Sequence, residues 1–134
     1  MGQQGETAAV RKRILVVDDE PSVRLLVQRV LERAGYAAQL CDSAEAALEH
    51  LAQHPVDLVL VDQNLPQMSG LELVQRLRVS RGGLPVVMMT GAPDCALLAD
   101  ERIVVVAKPF PSLAVLQETV RRALASASAQ RPCA

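Results

Sequence analysis

Four short apolar runs in this chain end on residues able to do chemistry. Ile14-Leu15-Val16-Val17 runs into Asp18-Asp19, and Val56 to Val61 runs into Asp62. The run starting at Pro85 closes on Thr90, and Ile103 to Ala107 is followed by Lys108. Three carboxylates drawn close together repel one another and raise one another's pKa. A hard divalent cation relieves that repulsion. Mg²⁺ in particular takes one or two carboxylates and keeps places for water and phosphate oxygens. A lysine ammonium and a threonine hydroxyl complete a set that could stabilise charge on a transferring phosphoryl group. One of the carboxylates could itself be the nucleophile, giving an acyl phosphate.

Such a set forms only if the elements carrying it point the same way. The 56–61 run is apolar on both faces, which reads as a strand buried inside a parallel sheet. Helical periodicity follows most of the runs. Val23, Leu26, Val27, Val30 and Leu31 make the inner stripe of a first helix, with Pro21 in its first turn, an acidic cap before it and Gly35 closing it. Ala37 to Cys41 is a second strand. Asp42 or Ser43 caps a second helix with Ala44, Ala47, Leu48 and Leu51 inward, ended by Pro55. A third helix runs from about Ser69 to Val79 on Leu71, Val74 and Leu77. Ser112 caps a last one on Leu113, Leu116, Val120, Ala123 and Leu124. Strand and helix thus alternate five times, which predicts an α/β fold with a doubly wound five-stranded parallel sheet. All strand carboxyl ends then share one edge, where such sheets bind ligands. Residues 1–10 and 126–134 are expected to be disordered tails around a single domain over 11–125.

The bulk composition excludes several functions. Fourteen basic and fifteen acidic residues nearly cancel, so neither nucleic acid nor a membrane surface is favoured as a partner. The only aromatics are Tyr36 and Phe110, too few for base stacking, so the core must be aliphatic. Cys41, Cys95 and Cys133 are odd in number and lack metal-ligand spacing, which suits a reducing cytoplasm. No run is long enough to span a bilayer. His50 and His54 could chelate a metal at i, i+4, but solvent-facing helix polarity is the simpler reading.

The stretches ILVVDDEPSVR, VDLVLVDQNLPQMSG, PVVMMTG and AKPF, in this order and at strand ends, resemble the response-regulator receiver domains of two-component signalling over about Arg13 to Leu124. The resemblance implies a flavodoxin-like (CheY-like) sheet of strand order 2-1-3-4-5. It implies Asp62 as phosphoacceptor, with Thr90 as the switch hydroxyl and Lys108 as the lysine that pairs with the phosphoryl group. Asp18 and Asp19 would hold Mg²⁺ together with Asp62 and the backbone carbonyl of Asn64, Asp19 being the more direct ligand of the pair. Pro109 is expected to follow a cis peptide. The implied donor is a phosphohistidine on a sensor histidine kinase or histidine phosphotransfer protein. The chain would be no enzyme beyond its own phosphoryl transfer and autodephosphorylation.

Taken singly, these residues have plain readings: helix cap, turn former, surface lysine. Their joint occurrence in order decides against those. Two departures from the family pattern stand out. Lys108 follows Thr90 by 108 − 90 = 18 positions, which leaves APDCALLADER room for only a shortened fourth helix interrupted by Pro93. Three positions before the lysine stands Val105, where receivers usually carry an aromatic. Both touch the face that receivers use for dimerisation and output, so a monomer is expected. Two other functions compete: a phosphorylation-independent interaction module, and a metal-dependent phosphatase with an aspartyl nucleophile. The phosphatase needs a general acid two positions after Asp62, and Asn64 cannot serve. No DNA-binding or catalytic effector region is present, so output is expected through protein–protein contact if the chain is whole; the alternative is a receiver cut from a hybrid kinase.

Overall fold

The structure is a computed structural model and describes residues 11–80, 82–91 and 103–130. The elements are β1 (Arg13–Val17), α1 (Pro21–Arg33), β2 (Ala37–Cys41), α2 (Ala44–Gln53), β3 (Leu58–Asp62), α3 (Gly70–Ser80), β4 (Val86–Thr90), β5 (Ile103–Ala107) and α4 (Leu113–Gln130). The five strands form one parallel sheet in the order β2-β1-β3-β4-β5. The doubly wound order expected from the sequence is thus the one observed. The expected shortened helix falls within 92–102, outside the described residues, and helices are numbered among those described.

Side-chain alternation divides the sheet into two cores. Leu15, Val17, Val59, Val61, Val86, Met88 and Ile103 face Ala47, Leu51, Leu73, Val74 and Leu77 of α2 and α3. Ile14, Val16, Leu58, Leu60, Val87, Met89 and Val106 face Val27, Leu31, Leu116 and Val120 of α1 and α4. Every residue of β3 and β4 is buried, as a strand covered on both faces requires. The same alternation sorts the chemistry. Asp18, Asp62 and Lys108 continue the rows of Val16, Leu60 and Val106 and so belong to the α1/α4 face. Thr90 continues the row of Met88, whose register partner is Val105.

Local signals account for most boundaries. Ser43 Oγ accepts from Ala46 N at 3.1 Å and Ser112 Oγ from Val115 N at 3.1 Å, so the expected caps are in place, with Ser43 rather than Asp42 serving α2. Gly35, at φ 93°, adopts the left-handed conformation that ends α1. Three expectations need correction. Glu20 precedes Pro21 as the cap residue of α1, yet its side chain makes no cap hydrogen bond. Leu26 and Leu113, assigned inward by periodicity, are 41% and 46% exposed. They sit in the first two turns of their helices, near the strand carboxyl ends, where the sheet stops and offers no row to cover them. Finally, α4 continues to Gln130 through Ser126-Ala127-Ser128-Ala129, expected as tail. Alanine favours helix strongly, and nothing breaks the segment before Pro132. Residues 1–10 and 131–134 lie outside the described residues. Among the described residues no helix is long and apolar enough to cross a membrane.

Candidate functional site

The carboxyl ends of β1, β3 and β5 bring Asp18, Asp62 and Lys108 into direct contact. Lys108 Nζ donates to Asp18 Oδ2 at 3.0 Å and to Asp62 Oδ2 at 3.0 Å, bridging residues 90 and 46 positions away in sequence. Asp18 is fully buried and Asp62 is 5% exposed. Asp19 is exposed and completes the cluster: one oxygen from each of Asp18, Asp19 and Asp62 lies within 4.8 Å of the others. Thr90 is buried at the end of β4, and its carbonyl accepts from Lys108 N at 3.0 Å, which ties the lysine's backbone to β4. The Lys108–Pro109 peptide is cis, as expected.

Two short turns hold the carboxylates. After β1, Asp18 Oδ1 accepts from Glu20 N at 2.8 Å, and Arg24 donates to the Asp18 carbonyl at 2.7 Å. After β3, Asp62 Oδ1 accepts from Asn64 N at 3.2 Å. Gln63 locks this second turn from both sides. Its N–H donates to Met89 O at 2.9 Å, its carbonyl accepts from Gly70 N at 2.9 Å, and its side-chain Oε1 accepts from Leu71 N at 2.9 Å. The amide of Gln63 thereby satisfies one of the orphan N–H groups at the start of α3, while Ser69 Oγ satisfies another at Glu72 N. Gly70 packs so closely that a Cβ would lie 2.6 Å from the Asp62 carbonyl and 2.8 Å from Met88 Sδ. Only glycine lets α3 begin against the backbone of Asp62.

Electrostatics follow from this packing. Burial pushes the Asp62 carboxyl above its ordinary value. The hydrogen bonds from Lys108 and Asn64 N oppose the rise, and the Asp18 carboxylate adds to it. Burial works against the Lys108 charge, but its hydrogen bonds to Asp18 and Asp62 outweigh that and raise its pKa above the usual lysine value. One ammonium therefore serves a crowded acidic pocket. The donor set is oxygen only, with one exposed carboxylate at its rim, and it fits a hard divalent cation better than a thiolate- or imidazole-binding metal.

The site lies in an open cleft of about 720 Å³. Asp19, Glu20, Asp62, Asn64 and Lys108 form its polar floor, and Val23, Leu26, Phe110 and Leu113 form an apolar wall. Asp18, Asp19, Asp62, Asn64, Thr90 and Lys108, the set predicted for phosphoryl and metal chemistry, all reach this end of the sheet. Three contributors escaped that reading. Glu20 was visible beside the aspartate pair and was taken only as a cap; here its Oε1 accepts from Lys108 Nζ at 3.3 Å. Arg24 and Gln63 carried no periodic or motif signal of their own, because their roles depend on backbone atoms brought near by the fold. His50 and His54 lie elsewhere, 4.8 Å apart between ring centroids at the end of α2. Cys41 is half-buried and unbonded to sulfur, and Cys95 and Cys133 fall outside the described residues.

Known proteins match this architecture. The family model described as response regulator receiver domain matches residues 14–121. The chain is 38% identical over 85 residues to the alkaline phosphatase synthesis transcriptional regulatory protein PhoP of Bacillus subtilis, covering 63% of this chain and 35% of PhoP. It is 34% identical to the response regulator receiver protein CpdR of Brucella abortus, covering 74% of this chain and 86% of CpdR. Several other curated relatives are matched over only 11% to 49% of their own length. Among solved structures, the signal receiver domain of an HD domain-containing protein from Pseudomonas fluorescens superimposes with a TM-score of 0.82 at 30% identity, covering 90% of this chain and 99% of that one. With the matching family model spanning most of the chain and the acidic cluster at the expected sheet edge, this protein belongs to the response-regulator receiver domain family.

Proposed function

We propose that this domain accepts a phosphoryl group on Asp62 and passes the signal on through protein–protein contacts. The observation that carries the reading is the Lys108 ammonium, held 3.0 Å from Oδ2 of both Asp62 and Asp18 at the bottom of an open cleft. The donor is a phosphohistidine of a sensor histidine kinase or a histidine phosphotransfer protein. An Asp62 carboxylate oxygen attacks phosphorus, the phosphorus–nitrogen bond breaks, and the imidazole leaves neutral, its proton on the other ring nitrogen. Lys108 Nζ, already bonded to Asp62, follows the developing charge on the phosphoryl oxygens. Thr90 supplies a hydroxyl from the neighbouring strand end and moves toward the phosphoryl group as the switch. Asp18, Asp19, Asp62 and the carbonyl of Asn64 would hold Mg²⁺; when bound, it cancels carboxylate repulsion and draws charge from the phosphoryl oxygens. The exposed Leu26 and Leu113, with Val23 and Phe110, give a donor protein an apolar surface beside the nucleophile. The domain turns over no separate substrate: it catalyses its own phosphorylation and slow hydrolysis, in the cytoplasm.

Incubation with acetyl phosphate and Mg²⁺, followed by intact-mass measurement, tests this. Wild type gains the mass of one phosphoryl group, EDTA prevents the gain, and Asp62→Asn shows none. A gain that persists in Asp62→Asn moves the acceptor elsewhere. No gain in wild type supports the phosphorylation-independent module instead.

A further inference from the structure

Glu20 occupies the position from which a side chain ordinarily caps a helix, and it caps nothing. The serines before α2, α3 and α4 all accept a backbone N–H from the first turn behind them. The backbone of Glu20 is fixed by Asp18 Oδ1, which accepts from its N–H at 2.8 Å. The carboxylate turns instead to the cleft, where Oε1 lies 3.3 Å from Lys108 Nζ while the side chain stays 59% exposed. Glu20 Oε1 and Asp62 Oδ2 share that ammonium, at 3.3 and 3.0 Å, and so lie no more than about 6 Å apart.

An exposed ion pair of this kind adds little to stability. Its charge, however, stands at the mouth of a site that is already too negative. Asp18, Asp19, Glu20 and Asp62 share one ammonium, and the Arg24 guanidinium stands behind them on the Asp18 carbonyl at 2.7 Å. Of the four carboxylates, Glu20 is the one that the metal and phosphoryl roles proposed above do not use. From this we infer that Glu20 is a donor-selecting residue: its carboxylate disfavours small anionic phosphodonors in proportion to their charge. A donor protein offsets that repulsion through contacts outside the cleft, and a free anion cannot. The inference rests on Asp62 being the phosphoacceptor.

The test compares two donors on wild type, Glu20→Gln and Glu20→Ala, each at saturating Mg²⁺ and with donor well below saturation. Acetyl phosphate is a dianion at neutral pH: Asp62 attacks phosphorus, the bond to the acetyl oxygen breaks, and acetate leaves with the electron pair. Phosphoramidate is a monoanion whose nitrogen is already protonated, and ammonia leaves. Coulomb's law across about 6 Å of water predicts that removing one negative charge speeds reaction about ten-fold with acetyl phosphate and about three-fold with phosphoramidate at low ionic strength. At 0.15 M salt the gains shrink to about three-fold and two-fold. Mg²⁺ binding, followed by calorimetry, should weaken in both variants by a factor similar to the acetyl phosphate gain. Both variants should behave alike, since both remove the charge and only Gln keeps a hydrogen-bond partner for Lys108. Equal gains with the two donors, gains indifferent to salt, unchanged Mg²⁺ affinity, or an effect confined to Glu20→Ala would each overturn the inference. If wild type takes a phosphoryl group from neither donor, the assignment of Asp62 fails first. If wild type is phosphorylated and both variants follow it, only the role of Glu20 fails.

Discussion

Asp62→Asn should stabilise the metal-free domain at neutral pH, although it removes a residue bonded to Lys108. The Asp18 carboxylate within 4.8 Å repels Asp62 by about 3 kcal/mol at an effective dielectric of about 20, and the exposed Asp19 adds about 1 kcal/mol at the dielectric of water. The Lys108 ammonium at 3.0 Å returns about 5 kcal/mol. These largely cancel, which leaves the cost of burying the charge, the leading cause of the raised Asp62 pKa. A carboxamide avoids that cost. It keeps an acceptor for Asn64 N, and Lys108 keeps Asp18 and Glu20. The net gain is about 1 kcal/mol, or about 4 °C in melting temperature for a domain of this size.

The sign with pH follows from linkage. Below the ordinary carboxyl value of 3.8, Asp62 is protonated in folded and unfolded chains alike, and the two proteins should be equally stable. As pH rises from 3.8 through the raised folded value, the unfolded chain gives up this proton first, so wild type loses stability relative to the variant. Above the folded value the full difference is present. Melts followed by far-ultraviolet circular dichroism in EDTA at pH 4 and pH 7 measure it, which suits a chain without tryptophan. A variant clearly less stable than wild type at pH 7, or a gain of the same size at pH 4, would refute the reasoning. Mg²⁺ should narrow or reverse the gap, because it stabilises the state that binds it better.

Three further outcomes are expected. Gly70→Ala places a methyl group against the Asp62 carbonyl and should cost about 2–3 kcal/mol in urea melts; it should also slow phosphorylation by acetyl phosphate, and a variant normal in both would show that α3 can move away freely. Mg²⁺ should raise the wild-type melting temperature with concentration, and this response should vanish in Asp18→Ala and Asp19→Ala; a wild-type response in Asp19→Ala would mean the cation binds elsewhere. Beryllofluoride with Mg²⁺ should leave the protein monomeric at micromolar concentration in sedimentation velocity, because the β-branched Val105 has few rotamers with which to report movement of Thr90; a dimer lost on mutating exposed residues of α4 would show that this face still switches.

The sequence by itself determined the fold and which polar residues meet at the sheet edge, for a physical reason. A parallel sheet needs doubly buried strands, and only runs such as Leu58–Val61 and Val86–Met89 satisfy that, so strand positions are written in composition. Sheet direction then sends Asp18, Asp62, Thr90 and Lys108 to one edge without any knowledge of distances. Tertiary structure decided what one-dimensional patterns cannot carry. Helical periodicity placed Leu26 and Leu113 inside, yet both extend past the sheet's last row and become the wall of the cleft. A cap signal assigned Glu20 to α1, and only the arrival of Lys108 from β5 shows where its carboxylate goes. Gln63 and Gly70 act on backbone atoms of their neighbours, and Arg24 on the carbonyl of Asp18. Such contacts depend on where the chain turns within a few ångströms, which residue type and spacing leave open until the elements are packed.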